Sequence, residues 1–213
     1  MHRVCSQLHE LVTSVPRLSF SFDPKRIPKD GVYLLFEKGE SGHGADRIVR
    51  VGTHTGAHQL SSRLRQHYIR ENKDRSIFRK NIGRALLRRD HDAFIDQWEL
   101  DLTTRSARAR YAETVDSDKQ YLVEKRVTEY MQESFTFIVF GVEEKEERLE
   151  LESRLISTVS LCSDCVPSPN WLGRYSPKHQ IREGGLWNVT ELYKTPLSIM
   201  DIRRVERLVR QQM

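Results

Sequence analysis

The chain has 213 residues, 38% hydrophobic and 31% charged, with 35 basic against 30 acidic residues for a net charge of +5. That describes one globular domain, or one with a sizeable insertion, long enough to bury an ordinary core. No apolar run nears the roughly 20 residues of a membrane-spanning helix, and three cysteines argue against a disulfide framework and fit a reducing compartment. Met1 to Pro16 lacks the apolar core of a signal peptide, so the expected setting is soluble and cytoplasmic.

Residues 1–16 have helical spacing, with Leu8, Leu11 and Val12 on one side and Pro16 at the end. Leu18, Phe20 and Phe22 alternate with serines as a short extended arm, and Pro24, Pro28 and Asp30-Gly31 mark a loop. Residues 31–37 read as a strand, with Val32, Leu34 and Phe36 on one face and Tyr33 and Leu35 on the other. A Gly-rich polar hairpin loop follows. Residues 47–53 read as a second strand, with Val49 and Val51 on one face and Ile48 and Arg50 on the other.

From about Leu60 to Glu71 a helix carries Leu60, Leu64, His67 and Tyr68 on one side. Arg63 shares that side, four residues before His67. A basic helix follows over 76–88. Residues 89–133 read as an insertion, helical again from Tyr121 to Met131. Phe135 to Phe140, aromatic and β-branched, is expected to be the central strand of three. Residues 143–159 read as a helix with acids in its first turn and a stripe of Leu149, Leu155, Ile156 and Val159. Glu152 falls inside that stripe, and a buried carboxylate must be paired or bind a cation.

Cys162-Ser163-Asp164-Cys165 is a single CxxC, short of the four ligands of a structural zinc site. Trp171, Tyr175 and Trp187 fit core packing better than stacking on bases. Thr195-Pro196 starts a C-terminal helix with a stripe from Ile199 to Val209.

Between Arg63 and Arg89 there are ten basic residues and two acidic ones, a local charge of +8 that suggests a polyanionic partner. His54, Arg65, Arg70, Lys73, Arg75, Arg79 and Lys80 are the candidate nucleic-acid contacts. Strand, strand and helix bring Tyr33, Arg50, Arg63 and His67 towards one spot. Arginine matches a phosphate bidentately. A lone carboxylate such as Glu152 can hold a hard divalent ion. Phosphoryl transfer needs a positioned nucleophile and charge neutralisation.

Gly31-Val32-Tyr33, Val51-Gly52, Arg63 on the following helix, and Leu151-Glu152 before Leu155-Ile156 together resemble the GIY-YIG nucleases, in order from 31 to about 170. The resemblance implies an α+β fold, a small three-stranded antiparallel sheet flanked by helices, with a helical insertion and a C-terminal helix. It implies a nuclease domain over 27–175 between extensions at 1–26 and 176–213. It also implies DNA cleavage with Mg²⁺ or Mn²⁺; an RNA- or structure-directed nuclease is the alternative substrate class. Tyr33 would activate or position water, Arg63 would hold the phosphate, and Glu152 would be the only protein metal ligand. Asn170, or alternatively Asn188, would order the site. His67 stands where some restriction endonucleases of the family use a histidine. Arg50 replaces the first tyrosine of the second motif and cannot act as a base; it could lower the pKa of Tyr33 or bind phosphate. That departure leaves a non-catalytic nucleic-acid-binding module as the second reading. Cutting both strands with one site per chain would favour a homodimer over a monomer.

Overall fold

Gly31 opens the first strand because nothing larger fits: a Cβ there would lie 2.0 Å from the Phe140 carbonyl oxygen. The structure, a computed structural model, describes residues 2–211. In chain order it runs α1 (His2–Thr13), β1 (Gly31–Gly42), β2 (Ala45–Gly52), α2 (Leu60–Tyr68), α3 (Ile77–Arg89), α4 (Ile95–Glu99), α5 (Arg105–Arg110) and α6 (Ser117–Ser134). It continues with β3 (Phe135–Gly141), α7 (Lys145–Ser160), α8 (His179–Gly184) and α9 (Ile199–Arg210). The sheet order is β2-β1-β3 with both pairings antiparallel. No helix among the described residues is long and apolar enough to cross a membrane.

Several sequence expectations are corrected. The C-terminal helix starts at Ile199 under a Ser198–Asp201 capping box, not at Thr195-Pro196, and the Gly-rich stretch stays in the strand to Gly42, leaving His43-Gly44 as the turn. β1, not Phe135–Gly141, is the central strand. The aromatic run of β3 reflects burial on both faces: Phe135, Phe137 and Val139 join one core and Ile138 and Phe140 the other. Part of its outer edge is covered by Leu18, which exchanges two backbone hydrogen bonds with Phe137, at 2.8 and 2.9 Å. In β2, Leu35 pairs with Arg50 but Phe36 pairs with Ile48, so Val49 is the extra residue of a β-bulge. Val49 therefore lies with Tyr33 and Leu35, and Ile48 with Val51. In α7, Leu151 rather than Leu149 belongs to the buried stripe, which puts half-buried Glu152 at its border instead of its middle.

One face of the sheet is covered by α2, α3 and α6 with Trp98, Trp171 and Trp187. Both of those last two indoles donate to the buried Glu37 carboxylate, at 2.8 and 2.9 Å, which confirms their place in the core, whereas Tyr175, expected with them, is exposed at the end of a short helical turn. The other face is covered by α1, α7 and α9. There Cys5, Leu8 and Val12 from the N-terminal segment, and Leu197, Ile202, Val205 and Val209 from the C-terminal one, share a core with Val32, Leu34 and Val51. The 89–133 segment is mostly helical, and α5 within it has no buried residue.

Candidate active site

β1 and β2 pair Tyr33 with Gly52. A Cβ on Gly52 would sit 2.2 Å from the Tyr33 hydroxyl, so this glycine leaves room for the phenol to lie across the neighbouring strand. The helical spacing of α2 buries His67 beside it, and the Tyr33 Oη to His67 Nε2 distance is 2.9 Å. His67 Nδ1 is 2.6 Å from Ser76 Oγ. Ser76 is also the N-cap of α3, accepting the Arg79 N–H at 3.2 Å. Tyr33, His67 and Ser76 thus form one buried hydrogen-bonded series. Burial, then the charges of Arg63, Arg50 and Arg79, push the pKa of His67 well below its usual 6.5, so the ring is neutral near neutral pH. When its one proton is on Nδ1 and donated to Ser76, Nε2 accepts from the Tyr33 hydroxyl.

Glu152 reaches the same region from α7. Its Oε1 accepts the Thr53 N–H at 3.1 Å, one residue beyond Gly52. Burial raises the Glu152 pKa, opposed by Arg50, the Thr53 N–H and Arg63. Among the described residues, its Oε2 takes no hydrogen bond. Arg63 lies one turn before His67 and is held by Gln66 Oε1 at 3.2 Å. Thr53, His54, Thr55, Gln59, Ser62, Arg63 and Gln66 enclose a cavity of about 270 Å³. A larger concavity of about 850 Å³ next to it sets Asp30, Glu143, Glu144 and Glu146 against Lys29, Lys145 and Arg148, a nearly balanced lining rather than a basic one.

Arg50 shares the Tyr33 face but is turned inward. Its guanidinium lies 4.7 Å from the Phe78 ring centroid and donates to the Trp187 carbonyl at 2.9 Å, while its buried Nε has no hydrogen-bond partner among the described residues.

Several expected site residues are elsewhere. Asn170 is exposed in a loop whose Ser168 bonds Glu40, towards the opposite end of β1 from Tyr33. Asn188 is the asparagine at this part of the sheet: its side chain accepts the Val51 N–H at 3.1 Å and donates to the Val51 carbonyl at 2.9 Å. His54 is buried, with Nε2 accepting the Gly31 N–H and Nδ1 against the Gly56 carbonyl, so it pins the 53–59 loop rather than meeting a phosphate. Arg79 is fully buried and bonds Glu124 Oε2 through both Nε and Nη2, at 3.0 and 2.7 Å. Lys73 is buried on Asp74 and the Leu100 carbonyl, and Lys80 is tied to the Glu99 carbonyl. Those three basic residues are structural, which removes much of the apparent positive patch. Arg65, Arg70 and Arg75 are exposed. Ser76 was missed in the sequence; its Ser-x-x-Arg start of a helix is an ordinary N-cap signal, and only the fold brings it to His67.

Comparison with known proteins gives one finding. The family model described as the GIY-YIG domain matches residues 1–212. No curated protein and no solved structure matches the chain.

Proposed function

The chain belongs to the GIY-YIG family, and from that membership and this pocket we infer a divalent-metal-dependent endonuclease that hydrolyses DNA phosphodiester bonds. One observation carries the reading: the Tyr33–His67–Ser76 series ends beside a strand whose next residue, Thr53, holds Glu152, with Arg63 one helical turn away. Arg63 binds the scissile phosphate and stabilises the charge that develops on it. With the His67 proton on Nδ1, the Tyr33 hydroxyl donates to Nε2 and its oxygen is left to orient the attacking water. Neutral His67 takes up a proton through Tyr33, and Ser76 fixes the ring. Arg50, from behind, adds positive potential near Tyr33 and Glu152.

Glu152 fits a divalent ion by donor chemistry: it is a hard carboxylate with one oxygen anchored and the other without a hydrogen bond among the described residues. It would hold Mg²⁺ or Mn²⁺, which when bound would supply charge neutralisation at the scissile phosphate and leaving oxygen.

The test is nicking of supercoiled plasmid with Mg²⁺ or Mn²⁺ by the unmutated protein, Glu152→Gln and Tyr33→Phe, with a single-stranded RNA arm. Cleavage by the unmutated protein alone is expected, with each variant slower by roughly 100-fold or more. Equal cutting by all three proteins would overturn the assignment of these residues. A non-catalytic binding module is the second reading, favoured by the inward, core-packed Arg50 at the position of a motif tyrosine. It would show salt-sensitive binding without cleavage.

A further inference from the structure

The tip of the β1–β2 hairpin gathers four metal-ligating side chains that the candidate active site does not use. Cys5 and His9 are four apart on α1 and both fully buried; Cys165 is buried in the loop after α7. His43 occupies the hairpin turn with φ of 54°. One ligand atom from each lies within 4.8 Å of those of the other three. Cys5 Sγ is 3.6 Å from Cys165 Sγ, and Cys165 Sγ is 3.9 Å from His9 Nε2.

Those separations have a chemical meaning. A tetrahedral zinc ion with sulfur at about 2.3 Å and nitrogen at about 2.0–2.1 Å separates its ligand atoms by roughly 3.5–3.8 Å. The two sulfurs are thus too far apart for a disulfide, whose bond is about 2.05 Å, and spaced as two corners of such a tetrahedron. His9 Nδ1 lies 2.9 Å from the Cys5 carbonyl oxygen. With its proton there, Nε2 is left as the donor atom, and a ligating histidine commonly has this kind of backbone anchor. The Ile48 N–H now meets that Nε2 at 3.3 Å, a long hydrogen bond that a metal would replace. Cys162 Sγ, also buried, is 3.1 Å from His43 Nε2 and borders the quartet without being one of it.

We propose that Cys5, His9, His43 and Cys165 bind one zinc ion as a closed structural site. Two thiolates and two imidazoles select zinc over magnesium or calcium. Four protein ligands leave no open position for substrate, so the ion is a staple. It ties α1 and the hairpin turn to a loop 160 residues downstream of Cys5, and closing so long a loop raises stability by restricting the unfolded chain. The single CxxC hid this in the sequence because its Cys162 is not in the quartet and two of the partners come from the first helix.

The test uses untagged full-length protein purified without chelator. Elemental analysis should find about one zinc per chain, and Co²⁺ exchanged into it should show thiolate charge-transfer and tetrahedral ligand-field bands. Cys5→Ser, Cys165→Ser and His43→Asn should lose the metal, and His43→Asn keeps a residue that tolerates the left-handed turn. Cys162→Ser and Glu152→Gln should keep it, which separates this site from the candidate active site. A strong chelator should lower the Tm of the unmutated protein but not that of His43→Asn, with circular dichroism checking that each variant is folded. Metal-free protein with three free thiols, a Cys5–Cys165 disulfide by mass, or zinc retained in Cys5→Ser and Cys165→Ser would each overturn the proposal, as would loss of zinc from Cys162→Ser.

Discussion

His67 shows how a single buried ring can be read in both stability and chemistry. Its folded-state pKa is depressed, so above pH 6.5, where the unfolded chain is also neutral, it costs nothing. As pH falls below 6.5 the unfolded state binds a proton that the folded state refuses. Stability should therefore drop on acidification, by up to about 1.4 kcal/mol per pH unit for a one-proton difference. Urea unfolding from pH 7.5 to 5 should show that slope, and His67→Gln should flatten it. Some slope will remain, because burial depresses His54 in the same direction. A slope identical in both proteins would show that His67 is protonated in the folded state. At this scale the approach of Tyr33, Arg63 and His67 was legible because helical and strand periodicity fix which residues share a side, whereas periodicity put Glu152 in the middle of a stripe that it only borders. Asn170 was not legible: sequence order cannot say which of two loop asparagines returns to the sheet, and Asn188 does.

The elements meet through two close fits that no single-element pattern reveals. Gly52→Ala would drive a methyl group into the Tyr33 phenol. Overpacking of this kind costs roughly 1–3 kcal/mol, and it would part Tyr33 from His67. We expect both a lower urea midpoint and a loss of cleavage as large as that of Tyr33→Phe; a fully active, equally stable Gly52→Ala would show that the phenol can move. The second fit joins α3 to α6 through Arg79 and Glu124. Breaking a buried pair by removing one partner costs about 3–5 kcal/mol, whereas replacing both with apolar residues of similar size is often near neutral. Arg79→Met alone should thus be strongly destabilised and the double variant Arg79→Met/Glu124→Leu largely restored. If instead Arg79→Met is stable but binds nucleic acid weakly, Arg79 is a phosphate contact after all. The helices and three strands were legible from periodicity. The order of the strands and the bulge at Val49 were not, because a strand buried on both faces looks the same at the edge as in the centre, and one inserted residue reverses the alternation beyond it.

For the whole molecule, the basic window loses half of its reach once its ion pairs are counted. Arg63, Arg65, Arg70, Arg75 and Arg88 have no ion pair among the described residues, so the logarithm of affinity against the logarithm of salt should have a slope of about −4 to −5 on duplex DNA, not the roughly −9 of ten contacts. Filter binding across salt concentrations decides between them. The three-stranded α+β architecture was legible from the order of motifs, but not that both terminal segments build its core, since an amphipathic stripe does not say what it covers. α1 and α9 pack against each other on the same face of the sheet. During synthesis that pairing joins α1 to a helix made some two hundred residues later. Until residues 199–210 have left the ribosome, Val32, Leu34 and Val51 lack part of their cover, and the nascent chain carries an open apolar face. Such a face invites chaperones and self-association, so a released chain truncated before Ile199 should be far more aggregation-prone than one that includes α9.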